Sequence, residues 1–237
     1  MLTLLAICSG LTSIRFSVEG RFDLAVAAII LAAVLDGIDG RVARFLKSTS
    51  RFGAQIDSLA DFVNFGVAPA MMLFFAITHS IGPLGWISAL IFAICTCLRL
   101  ARFNVMIDEP GRPIWLSHYF LGVPAPAGAL IVMIPIYVML LGLPQNPLVA
   151  VLAAVYMIIV GLLMVSNLPT YSGKEFGRRV PRDYAMPLMI ALVVAVALLV
   201  SYPWETLLLL SCIYIAMLPM GYRSWRRQIA RDQEKPL

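Results

Sequence analysis

An all-α polytopic membrane protein with about eight transmembrane helices is the fold class this chain predicts, on three observations. Of its 237 residues 61% are hydrophobic and only 13% charged, about half the charged share of a soluble domain, roughly 25%. Apolar runs approaching the roughly 20 residues of a bilayer crossing recur along the whole length. The lysines and arginines gather in alternate connections, the signature of a chain that keeps its positive loops on one side of a membrane.

The first apolar run, residues 2–16, has no basic stretch before it and no small-residue cleavage site after it, so it reads as a short span rather than a signal peptide. Residues 23–46 and 53–78 give the second and third spans, and the stretch from Asp36 to Asp61 across them holds four aspartates. Spans four to six follow at 83–105, 121–142 and 147–166, and the last two, 185–202 and 205–222, carry no interior charge and look like an addition to the core. No long polar stretch separates these runs. Residues 1–222 are therefore expected to form a single integral membrane domain, with a core of about 1–166, extra helices at about 185–222 and a basic tail at 223–237. Cys8, Cys95, Cys97 and Cys212 lie scattered in apolar segments without zinc spacing and read as packing residues. His79 and His118 have no second histidine at ligand spacing.

Charge gives the orientation. Arg41, Arg44, Lys47 and Arg51 follow the second span, Arg99, Arg102 and Arg112 close the fourth, and Lys174, Arg178, Arg179 and Arg182 follow the sixth. The opposite connections near 79–83, 143–147 and 201–205 have no Lys or Arg, and only Arg15 and Arg21 break the pattern. Both termini and the acidic segment are thus expected on the cytoplasmic side of a bacterial inner membrane, with the net charge of +5 facing anionic headgroups.

The acidic segment reads DGIDGRVARFLKSTSRFGAQIDSLAD from Asp36 to Asp61. Asp36 and Asp39 are three residues apart and Asp57 and Asp61 four apart, so each pair shares one face of its helix. Two facing helices then gather four carboxylates, which repel one another unless a cation holds them, and oxygen ligands suit Mg²⁺, Mn²⁺ or Ca²⁺. Gly40 and Ala43 extend the first acidic face and Gly53 the second, leaving a strip where a ligand can reach the backbone. A strip of small residues that ends in metal-held carboxylates is a berth for a nucleotide diphosphate, with Arg44 as a fixed cation for phosphate. Acids inside membrane helices are costly and usually functional.

The spacing D-x2-D-G-x2-A-R-x8-G-x3-D-x3-D resembles the pattern of the CDP-alcohol phosphotransferase family, and Asp36, Asp39, Gly40, Ala43, Arg44, Gly53, Asp57 and Asp61 fill all eight positions without a gap. The resemblance implies a six-helix core over the first six spans, a homodimer, and transfer of a phosphatidyl group from CDP-diacylglycerol to an alcohol with release of CMP. It also implies a pair of divalent metals, Mg²⁺ or Mn²⁺, held by Asp36, Asp39, Asp57 and Asp61, with Asp61 also taking the proton of the attacking hydroxyl. Gly40, Arg44 and Ser50 match the family's nucleotide and phosphate contacts. At the very start only Thr3 remains of the family's usual Pro-Asn pair followed by threonine.

The stretches RLARFN at 99–104, GVPAPAGA at 122–129, LMVSNLPTYSGK at 163–174 and SRFGAQIDSLADFVNFGVAP at 50–69 resemble one branch of that family, the bacterial membrane-integral phosphatidylserine synthases. That resemblance implies L-serine as acceptor. A zwitterion asks for a cation and polar partners, which Arg102, Asn104 and Lys174 supply at helix ends; Arg99, Arg102 and Lys174 also admit the plainer role of topology determinants. Two other functions compete. Glycerol 3-phosphate or inositol phosphate as acceptor would call for a denser arginine cluster, and a cation transporter would need acids along the midsections of helices three to eight, where the chain has none. No partner among nucleic acids is expected.

Overall fold

The computed structural model describes residues 2–45, 51–107, 119–166, 169–171 and 182–233. Helices α1 (Leu2–Val18) and α2 (Phe22–Phe45) form an antiparallel hairpin. Its turn needs a residue in the left-handed region, and Gly20 supplies it at φ 76° while Arg21 N–H donates back to the Phe16 carbonyl at 2.9 Å. Ala6, Gly10, Ser13 and Ser17 are the buried stripe of α1. Small side chains let the two backbones approach, and the Ser9 and Ser13 hydroxyls donate across the gap to the carbonyls of Ala28 and Ala25 at 2.7 and 2.8 Å.

The third rod is continuous but not uniform. It runs as α3 (Arg51–Asp61), a π-helical segment (Phe62–Val67) and α4 (Ala68–Ala76). The π segment, which the sequence pattern does not announce, begins directly after Asp61 and buries Asn64, Phe65 and Gly66. Such insertions re-aim side chains and recur at functional sites. A 3₁₀ turn at Thr78–Ile81, containing His79, leads to α5 (Pro83–Ile107).

The fifth predicted span is split into α6 (Ala125–Val132) and α7 (Ile134–Leu140) at Met133. Pro135 has no N–H for the carbonyl of Ile131, and the Tyr156 hydroxyl takes that acceptor instead at 2.6 Å. Tyr156 sits on α8 (Pro147–Val165), whose N-terminus is capped by Asn146 through Val149 N–H at 2.9 Å. Strands β1 (Tyr119–Leu121) and β2 (Pro169–Tyr171) pair antiparallel and tie the connections after α5 and α8 together, a small addition to the helical plan. The chain ends in α9 (Arg182–Ser201) and α10 (Pro203–Gln233), so the basic segment expected as a tail continues the last helix.

The interior is built from Phe65, Met72, Leu73, Phe92, Ile131, Tyr137, Met157 and Met164, all fully buried. The outside is equally apolar. On α8 the small residues Ala150, Ala153, Ala154 and Gly161 face inward, while Leu148, Leu152, Val155, Ile159 and Leu162 are exposed at helical spacing. This arrangement would be untenable in water and is natural against lipid. The rod Phe52–Ala76, α5 up to Met106 and α8 are each long and apolar enough to cross a bilayer, and shorter apolar helices accompany them. The protein is an all-α polytopic integral membrane protein. An apolar recess of about 390 Å³ lies between the third rod and α5, lined by Phe62, Val67, Met71, Trp86, Leu90, Ile94 and neighbours. Its lining holds no charged side chain among the described residues, and it is not the place where the acidic residues meet.

Candidate active site

The chemistry-bearing side chains meet at one end of the bundle, where the end of α2, the start of the third rod and the ends of α5 and α8 converge. Asp36 and Asp57, from α2 and α3, stand in side-chain hydrogen-bonding contact, and Asp39 lies close enough to both to act on their charge. Asp61, one turn deeper on α3, is in electrostatic contact with Asp36, Asp57 and Arg99. Asp36 and Asp57 thus meet across the two helices, with Asp39 and Asp61 near enough to act on their charge. Two carboxylates in direct contact require a proton or a cation between them.

Asp39 is turned toward α1. Its Oδ2 accepts from Thr3 N–H at 2.9 Å and also from the Thr3 hydroxyl. The first turn of any helix leaves N–H groups without partners, and an acid there satisfies one of them. With Asp39 so engaged, among the described residues no three His, Cys, Asp or Glu side chains are posed as a ready ligand set. The donor chemistry nonetheless fits a hard divalent cation. The oxygens are all carboxylate, Asp36 and Asp57 need positive charge between them, and Asp61 Oδ1 is buried with no hydrogen-bond partner.

The strip beside the acids is open. A Cβ built on Gly40 meets nothing within 4 Å, and the same holds at Gly37 on the preceding turn. Gly53 lies in the first turn of α3. Ala43 and Arg44 belong to the last turn of α2, with side chains outside the described residues, as is Ser50 altogether. Lys47, Arg112, His118, Lys174, Arg178 and Arg179 also lie outside them.

On α5, Arg102 donates from Nη1 to Val165 O at 2.7 Å and from Nη2 to Ser166 O at 3.1 Å, closing the C-terminal end of α8. Asn104 exchanges hydrogen bonds with Ser58, its Nδ2 donating at 2.9 Å, which ties α5 to the helix carrying Asp57 and Asp61. Residues outside the motif also enter the site. Arg99 is buried beside Asp61, and its Nε has no partner. Asn64 is fully buried three residues after Asp61 with both amide atoms unpartnered, its Oδ1 pressed against α1 where a Cβ on Gly10 would stand 2.1 Å away. A lone polar residue inside an apolar run was the available signal for each.

Comparison with known proteins bears on this geometry. The profile of CDP-alcohol phosphatidyltransferase matches residues 1–165, and that of CDP-alcohol phosphatidyltransferase 2 matches residues 183–219. A CDP-diacylglycerol--serine O-phosphatidyltransferase of Mycobacterium bovis is 39% identical over 226 residues, 95% of this chain and 78% of that protein. Proteins of the same name from Helicobacter pylori and Methanocaldococcus jannaschii are 30% and 38% identical, covering 91% and 73% of this chain and 86% and 74% of their own lengths. With the profile covering the acidic helices and the bundle around them, the chain belongs to the CDP-alcohol phosphatidyltransferase family.

Proposed function

We propose that this protein transfers the phosphatidyl group of CDP-diacylglycerol to the hydroxyl of L-serine, giving phosphatidylserine and CMP. The observation that carries the reading is the ungapped acidic motif, whose carboxyls converge from two helices, in a chain alike over 95% of its length to a protein named for that reaction. Glycerol 3-phosphate and inositol phosphate are not favoured as acceptors by such relatives. An ion pathway finds no support, because the four aspartates of the motif occupy one end of the bundle only.

In this reading Asp36, Asp39, Asp57 and Asp61 hold divalent metal, a pair of Mg²⁺ or Mn²⁺ ions, whose charge offsets that of the diphosphate and of departing CMP. Gly40, Ala43 and Gly53 let the nucleotide lie close to the backbone, and Arg44 and Ser50 contact it. Asp61 takes the hydroxyl proton as the serine oxygen bonds to the β-phosphorus, and the bond from that phosphorus to the bridging oxygen breaks with its electron pair leaving on CMP. The unpartnered Oδ1 of Asp61 supports this role, since an oxygen already engaged in the fold would be a poor proton acceptor. Arg102, Asn104 and Lys174 form the polar acceptor side. The domain, residues 1–222, sits in the bacterial cell membrane as a homodimer with its site toward the cytoplasm, supported by the basic residues that flank the acidic helices.

The experiment is product formation by purified protein with CDP-diacylglycerol, divalent metal and labelled L-serine, beside glycerol 3-phosphate and inositol phosphate. Metal-dependent phosphatidylserine with equimolar CMP is the expected result. Product from another alcohol alone would overturn the acceptor, and no CMP with any acceptor would overturn the reaction.

A further inference from the structure

We propose that α1 is the gauge that sets the two acid-bearing helices in register, and that Asn64, keyed against Gly10, is the positioning residue for Asp57 and Asp61. The proposal rests on the reading that the four aspartates hold divalent metal. α1 packs on α2 and along the third rod from α3 to α4, so both acid-bearing helices meet it. Thr3 and Gly10 are seven residues apart, two turns or about 10 Å along α1. Thr3 N–H donates to Asp39, while Ser9 and Ser13 donate to the carbonyls of Ala28 and Ala25 farther along, which fixes α1 to α2. Gly10 meets the rod instead. A Cβ there would stand 3.0 Å from the amide carbon of Asn64, 3.2 Å from its Cα and closer still to Oδ1. Asn64 reaches α1 in this way only because residue 10 has no side chain.

Asn64 lies three residues after Asp61, inside the π-helical segment Phe62–Val67. A π turn takes in more residues than an α turn, so the faces before and after the segment are offset by about one residue's rotation, roughly 100°. Where Asp57 and Asp61 point, relative to the buried rod beyond them, therefore depends on the segment keeping that form. The presence of an amide there is costly: the side chain is fully buried, and among the described residues neither amide atom has a hydrogen-bond partner. An alanine would fill an apolar interface without stranding a polar group. What the amide adds is bulk in the Gly10 notch and an oxygen against the Cα–H of that glycine, a contact that recurs between closely packed helices. Without it the rod can turn or slide on α1, and Asp57 and Asp61 then shift relative to Asp36 and Asp39 on the helix that stays tied to α1.

The test uses the full chain in lipid nanodiscs and compares wild type with Gly10→Ala, Asn64→Ala and the double variant. It reads Mn²⁺ affinity by the loss of the free-ion EPR signal, kcat and KM for L-serine at saturating metal, and melting temperature. Each single variant should weaken Mn²⁺ binding about 10- to 100-fold, the usual effect of disturbing the groups that orient metal ligands. Each should also lower kcat while KM for serine stays within about threefold. The double variant should bind Mn²⁺ at least as well as Gly10→Ala alone, because the new methyl enters space that the amide has left. A double variant weaker than Gly10→Ala would mean that the two residues do not act through one contact. A lowered melting temperature with Mn²⁺ affinity and kcat unchanged would make the contact one of packing alone, and either result overturns the proposal. If Gly10→Ala does not fold, Asn64→Ala decides on Mn²⁺ affinity and kcat, and failure of every variant to fold would overturn it as well. Wild type that binds no Mn²⁺ would instead reject the metal reading itself, and the proposal with it.

Discussion

Replacing Asp61 by Asn tests the proposed chemistry at its centre. The substitution is nearly isosteric and removes one negative charge from a group of four carboxyls, so the fold should not suffer. Among the described residues Oδ1 has no hydrogen-bond partner, so no structural hydrogen bond to that oxygen is lost. What disappears is the proton acceptor, and a positioned general base contributes about 10²- to 10⁴-fold, or roughly 3–5 kcal/mol of barrier. The assay is single-turnover CMP release at saturating CDP-diacylglycerol and L-serine, with thermal melting and elution volume as controls for folding. CDP-diacylglycerol affinity should change far less than the rate, because Asp36, Asp39 and Asp57 remain to hold the metal and the glycines Gly40 and Gly53 are untouched. A variant within about threefold of wild-type rate would refute Asp61 as the base. Weakened CDP-diacylglycerol binding at an unchanged rate would make Asp61 a binding group instead.

Three further outcomes are expected. Gly40→Val should leave the melting temperature unchanged, since its side chain enters open space, while raising KM for CDP-diacylglycerol by about tenfold or more through steric exclusion of the nucleotide; unchanged KM would remove Gly40 from the site. Chelation of divalent metal should abolish CMP release, and readdition of Mg²⁺ or Mn²⁺ should restore it, whereas activity in exhaustively chelated protein would exclude the metal role of the four aspartates. Tyr156→Phe should lower the melting temperature, because it takes from the Ile131 carbonyl its side-chain donor beside the Pro135 break and leaves it only the strained Met133 N–H, at a cost of about 1–3 kcal/mol; a stability equal to wild type would show that another donor replaces the hydroxyl.

The sequence by itself determined the fold class, the number of rods and the identity of the acidic motif. Hydrophobic length and charge asymmetry are one-dimensional properties, and helical spacing fixes which residues share a face before any packing is known. That Asp36 and Asp57 would meet followed from two such faces being opposed. The departures have a different origin. The π segment after Asp61 and the break at Met133 arise where a chain must satisfy packing and backbone hydrogen bonds together, and the donor that repairs the second break comes from Tyr156, 25 residues away. Likewise Thr3 meeting Asp39, Arg102 closing α8 and Arg99 standing unpaired beside Asp61 join residues 36 to 64 positions apart. Three polar residues on α1 and α5 thus received different roles. Only tertiary structure separates them, because whether a buried charge is spent on the protein or left for a ligand depends on which neighbours the fold brings within hydrogen-bonding distance.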